Sequence, residues 1–134
     1  LGKPRCFFHS TVKRNTLQRK ALMAVFTEHD RPLSIQEVLE LGRMEVESLN
    51  QATVYRNLNQ MVEEEQLIRV VHPEAGALYE LSGKGHHHFF HCRCCQRSFD
   101  LPGCMLKERP HTPEGFVVEK HEIFLNGVCP SCAQ

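Results

Sequence analysis

Apolar residues recur at helical spacing over Leu17, Ala21, Leu22, Val25 and Phe26. Asn15 and Thr16 stand ahead of that run with cap chemistry. Asp30-Arg31-Pro32 should end it, because proline brings no amide donor and restricts its predecessor. Ser34-Ile35-Gln36-Glu37 has the form of a capping box for a short second helix carrying Val38, Leu39 and Leu41, with Gly42 as its end. Ser48-Leu49-Asn50-Gln51 opens a third. At about 100° per residue, Val54, Leu58, Met61 and Val62 share one face of it, with Ala52, Arg56, Asn59 and Gln60 opposite and Tyr55 at the border. The period then changes. Leu67-Ile68-Arg69-Val70-Val71 and Ala77-Leu78-Tyr79-Glu80-Leu81 read as strands around the turn Pro73-Glu74-Ala75-Gly76.

Three helices followed by a hairpin is the order of a winged helix-turn-helix, whose third helix enters the major groove of duplex DNA. Arg reads guanine bidentately and Asn or Gln reads adenine, so the polar face of the third helix has suitable chemistry. An ordinary amphipathic surface helix would show the same polarity. Ser82-Gly83-Lys84-Gly85 is a polar, glycine-rich joint. The chain accordingly divides into a DNA-binding domain over residues 1–82, a hinge over 83–85 and a second module over 86–134. Strand-like runs cover 86–92, 98–101, 116–118 and 122–125. Pro102, Pro110 and Pro113 leave room only for a short helix at 104–107. The fold class is α+β, with a small, mainly β second domain.

Composition adds limits. The chain has 134 residues, 41% apolar and 24% charged, with zero net charge, which suits one ordinary domain or two small ones with thin cores. No stretch is long enough to span a membrane, and no secretory signal is evident, so a cytoplasmic, reducing setting is expected. Lys3, Arg5, Lys13, Arg14, Arg19 and Lys20 make the first twenty residues basic without one acid. Such local bias is the relevant footprint for a nucleic-acid partner, although a basic N-terminal arm is often only a solvated end; no small-molecule substrate is expected.

The densest chemistry lies between Gly85 and Cys95, where four histidines and three cysteines fall within eleven residues. Cys92-x-x-Cys95 and Cys129-x-x-Cys132 have the spacing of a structural tetrathiolate zinc site. Disulfides are the competing reading, but seven cysteines and the adjacent pair Cys94-Cys95 fit them poorly. Strand alternation sends residues 86, 88 and 90 to one side and 87, 89 and 91 to the other, so one metal should not use every histidine. No H-E-x-x-H helix is present, which argues against a zinc hydrolase. A metal store would leave the helical half unexplained.

Ala52-Thr53-Val54-Tyr55-Arg56-Asn57-Leu58, His86-His87-His88 leading into Cys92-x-x-Cys95, and the terminal Cys129-x-x-Cys132 together resemble the ferric uptake regulator family of bacterial metal sensors, over nearly the whole chain. The resemblance implies a homodimeric, metal-dependent repressor that binds a palindromic operator and is not an enzyme. It implies a structural zinc on Cys92, Cys95, Cys129 and Cys132, and DNA contacts from Tyr55, Arg56, Thr53 and Arg19. It also implies a regulatory metal at the domain joint, on Glu80, His87 and Asp100, and a second set on His86, His88 and His121, completed by Cys104. Phe89 stands where the family has a further histidine of the joint site, with His72, Cys6, His9 and His91 as conceivable substitutes. A thiolate from Cys104 and the loss of nitrogen at Phe89 favour zinc as the sensed metal, with iron second; peroxide or manganese sensing also occurs on this fold.

Overall fold

The computed structural model describes the backbone of residues 3–103 and 112–134 and the side chains of residues 16–103 and 112–134. Three helices come first: α1 (Lys3–Glu28), α2 (Ile35–Arg43) and α3 (Gln51–Glu63). β1 (Leu67–His72) and β2 (Gly76–Leu81) form an antiparallel hairpin. β3 (His87–Cys92), β4 (Ser98–Pro102) and β5 (Phe124–Gly127) form a second sheet in the order β4-β3-β5. β3 runs antiparallel to β4 and parallel to β5.

α1 begins well before the expected start, and Asn15 and Thr16 lie inside it rather than at its cap. Between Arg5 and Asp30 there is no glycine or proline to stop a helix. Pro4 falls in the first turn, where its missing amide hydrogen costs nothing. The capping box of α2 forms as expected: Ser34 Oγ accepts from the Glu37 amide, and the Glu37 carboxylate accepts from the Ser34 amide. This helix continues through Gly42 to Arg43. Gly42 is there for closeness, since a Cβ at that position would sit 2.8 Å from Leu49 Cδ1. α3 is capped by Asn50, whose Oδ1 accepts from the Thr53 amide at 2.9 Å.

The apolar face of α3 packs as its periodicity requires. Val54, Leu58 and Met61 are fully buried against Leu22, Phe26, Val38, Leu49 and Leu67. Fully burying side chains of this size stabilises by about 1.5–3 kcal/mol each. The hairpin is locked to this core by Tyr79 and Leu33, which exchange two backbone hydrogen bonds of 2.8 Å.

In the second sheet Phe89 pairs with Phe124 on one side and Asp100 on the other. β5 starts at Phe124, two residues later than expected, because its register follows β3. Residues 116–118 are not a strand. No strand among the described residues pairs with them, and Phe116, Val117 and Val118 are exposed. The short helix expected at 104–107 lies outside the described residues. Contacts from the helical half and its hairpin to the second sheet include Arg31, which donates to the Ser98 carbonyl at 3.4 Å, and His72, whose Nε2 meets the Leu125 carbonyl at 3.3 Å.

Candidate metal centre and nucleic-acid interface

Cys92 closes β3, and Cys95 lies on the turn that follows it; Cys129 and Cys132 lie on the turn after β5. The parallel pairing of β3 with β5 sets these two turns side by side. All four sulfurs lie within 4.8 Å of one another. Cys95 Sγ and Cys129 Sγ are 3.9 Å apart, far beyond a disulfide's bond of about 2.05 Å. Backbone hydrogen bonds from Cys95 and Cys129 pull the Cys92 thiol down to about 6. The Cys132 thiol is pushed up to about 12, chiefly by its hydrogen bond with Cys129 and by burial. Four sulfurs this close cannot all ionise unless a cation shares the site, so the donor set fits a tetrahedral zinc. Cys94 is exposed, with the Arg93 guanidinium 3.8 Å from its sulfur, and takes no part in the cluster.

The histidines separate as strand alternation requires. His86, His88 and His121 form one group with ring nitrogens within 4.8 Å. His86 Nε2 and His121 Nε2 are 3.2 Å apart. His88 is buried, and its Nδ1 accepts from the Ile123 amide at 3.0 Å. Burial, then the charges of His86 and His121, lower its pKa. Three imidazoles converge here, a donor type that suits a borderline metal; a cation on His88 would take over the ring lone pair that the Ile123 amide now occupies. Cys104, the expected fourth member, lies outside the described residues.

Glu80, His87 and Asp100 form the other group, also within 4.8 Å. Glu80 comes from the end of β2, His87 from the start of β3 and Asp100 from β4. His87 Nδ1 donates to the Gly85 carbonyl at 2.8 Å, and its Nε2 is 2.6 Å from Glu80 Oε1. With Nδ1 already a donor, that short contact needs one more proton, on the ring or on the carboxyl. Burial, then Asp100, raises Glu80 to about 7, against the lowering effect of His87. Burial works to lower His87, but its bonds to Gly85 and Glu80 prevail and raise it.

A residue missed in the sequence completes this cluster. Lys84 Nζ lies 2.6 Å from Asp100 Oδ2, 2.9 Å from Asp30 Oδ1 and 3.5 Å from Glu80 Oε2. Its pKa is raised, because the hydrogen bonds to Asp100 and Asp30 outweigh a burial effect that would lower it. The only advance sign was its place between two glycines, four residues after Glu80. A lysine ammonium is thus seated among the carboxylates of this group. Among the described residues, neither His72 nor His91 supplies the histidine missing at Phe89. His72 accepts at Nδ1 from the Glu74 and Ala75 amides and has Nε2 on Leu125. His91 is held by Ser98 and Gln96. The side chains of Cys6 and His9 lie outside the described residues.

On α3, Tyr55 is 51% exposed, and Arg56 is exposed beside it. Thr53 is nearly buried, with the Arg56 guanidinium 3.4 Å from its Oγ1. A polar groove of about 510 Å³ runs between α1 and α3, lined by Gln18, Arg19, Thr53, Arg56, Asn57 and Gln60. Arg19 reaches this groove but is paired with the Glu64 carboxylate and donates to Gln66 at 2.6 Å. That pairing lowers the Glu64 pKa and ties α1 to the end of α3.

Comparison with known proteins agrees with this layout. The pattern described as "Ferric uptake regulator family" matches residues 10–126. The chain is 30% identical over 121 residues to the ferric uptake regulation protein of Bordetella parapertussis, covering 87% of each. Its fold is like that of the Helicobacter pylori ferric uptake regulator, with a TM-score of 0.63 at 20% identity over 95% of this chain and 89% of that one. It is also similar to FurB of M. tuberculosis, a zinc uptake regulator, at 26% identity and a TM-score of 0.50 over 89% of this chain and 95% of that one.

Proposed function

The chain belongs to the ferric uptake regulator family and is a metal-responsive transcription regulator, not an enzyme; on that footing we propose that it is a homodimeric repressor of metal-uptake genes whose DNA affinity is set by a cation on His86, His88 and His121. The observation carrying this reading is the convergence of those three imidazoles, in a chain that separately has a four-thiol cluster to hold its β module together. The sensing ion would be held by His86 from the linker, His88 from β3 and His121 from the segment before β5. It would supply a cross-link among these segments. A ligand shifts a conformational equilibrium only by its differential affinity for the two states, so a site spanning the linker is well placed to bias how the α3 helices are presented. Tyr55, Arg56, Thr53 and Arg19 are the proposed DNA contacts, and the exposed Phe116, Val117 and Val118 offer apolar area for a second copy.

For the metal, the relative from Bordetella parapertussis supports ferrous iron, since that protein is named for ferric uptake. The second reading is zinc. It is favoured by the all-imidazole donor set, which suits tetrahedral coordination, and by the likeness to a zinc uptake regulator. Cys104, whose thiolate would also favour zinc, lies outside the described residues. The test is operator binding titrated anaerobically against buffered free ferrous ion and against free zinc, with the four-thiol zinc retained. Half-maximal binding at a physiological level of ferrous ion supports the first reading; a response to zinc alone supports the second.

A further inference from the structure

We propose that Lys84 takes the place of a divalent ion at the domain joint and thereby confines the exchangeable metal to the His86, His88 and His121 cluster. The inference rests on the metal-sensing reading above and narrows it to one of two groups.

The geometry carries it. The Lys84 ammonium is bonded to Asp100 at 2.6 Å and to Asp30 at 2.9 Å, and it lies 3.5 Å from Glu80. These partners come from the turn after α1, from β2 and from β4, so one side chain joins the helical domain to the second sheet. Its side chain is only 19% exposed, and that of Glu80 is 1% exposed. The backbone is shaped for this placement. Gly83 and Gly85 have φ of +86° and +76°, a region that other residues enter at a cost. These two reversals let the intervening residue turn back into the cluster instead of out to water.

A divalent ion at Glu80, His87 and Asp100 would have to displace this ammonium and break the 2.6 Å contact between His87 and Glu80. Among the described residues only three ligands would reward it. Phe89, two residues along the same strand, is buried with its ring centroid 5.0 Å from that of His87, and it offers no lone pair. Removing the lysine charge should reverse the balance. Glu80 Oε2 and Asp100 Oδ1 are buried without a full hydrogen bond, so an anionic pocket with free acceptor capacity would remain. Uncompensated buried charge is costly, and a cation from solution relieves it.

The test counts exchangeable zinc per chain on protein that retains its four-thiol zinc, in the wild type and in Lys84→Met, Lys84→Arg and His87→Ala. The wild type and Lys84→Arg should each bind one exchangeable ion, unaffected by His87→Ala. Lys84→Met should bind two, the second being lost when His87→Ala is added. Loss of the wild-type ion on His87→Ala, or no gain in a folded Lys84→Met, would overturn the assignment. The sensing reading fails separately: His121→Ala should remove the wild-type ion and the metal response of DNA binding, whichever way the lysine variants behave.

Discussion

His72 on β1 and Leu125 on β5 are 53 residues apart and meet at 3.3 Å, imidazole Nε2 to carbonyl oxygen. The ring is almost fully buried and lies edge-on to Phe124 at 5.1 Å. Its Nδ1 accepts from two turn amides, so the neutral ring carries its proton on Nε2 and donates it to Leu125. The hairpin is fastened to the second sheet by this hydrogen bond, while the two turn amides on Nδ1 and the burial of the ring require its neutral state.

That dependence has a definite sign. Burial lowers the His72 pKa most, His91 lowers it further, and the Leu125 contact and the Glu74 charge raise it; the net direction is down. The unfolded state therefore binds the proton more readily, and the contribution to stability is present above the unfolded value near 6.5 and lost as pH falls through the folded one. Urea unfolding at pH 7.5 and pH 5.5 should show a smaller pH effect in His72→Gln than in the wild type. At pH 7.5 the substitution should cost about 1–3 kcal/mol, the usual cost of a buried unsatisfied partner. An unchanged pH effect would remove His72 as the source.

The four-thiol cluster should behave as a fold determinant. Cys92→Ser should release its zinc and lower Tm by on the order of 10 °C or more, since several kcal/mol of metal-linked folding energy is lost. Cys94→Ser, whose sulfur lies outside the cluster, should keep both metal content and Tm. Thermal melting paired with metal analysis reads both, and equal effects from the two substitutions would contradict the assignment of the outer pair.

The proposed DNA contacts Tyr55 and Arg56 are exposed on α3. Tyr55→Ala combined with Arg56→Ala should weaken operator binding by roughly 100-fold, from two contacts of about 1–3 kcal/mol each, with metal content unchanged. Binding isotherms at several salt concentrations check this, because wild-type affinity should fall steeply with salt. Arg19→Ala is a more complex variant, as it also frees the Glu64 carboxylate beside the groove.

Much of this was legible before the fold. Strand alternation separated His87 from His86 and His88, and the two C-x-x-C spacings marked their own cluster, because ligand geometry follows local periodicity. The hydrophobic face of α3 was readable for the same reason. Long-range pairing was not. Lys84 reads as a solvated lysine in a flexible joint until Asp30 and Asp100 are brought beside it. The pairing of Arg19 with Glu64 needs α1 to cross the end of α3, 45 residues on. Residues 116–118 have the β-branched and aromatic character of a strand, yet β structure also needs a neighbour, and none of the described strands is beside them. The early start of α1 is not legible in the sequence, because the apolar periodicity ahead of Leu17 is weak.

The most direct measurement of the central claim is operator affinity with and without one equivalent of exchangeable metal, on protein that keeps its four-thiol zinc. The duplex can be selected from a random pool with loaded protein. Coupling of the usual size predicts a roughly 5–150-fold gain on loading, abolished in His121→Ala. Equal affinity in the loaded and unloaded wild type would contradict the account.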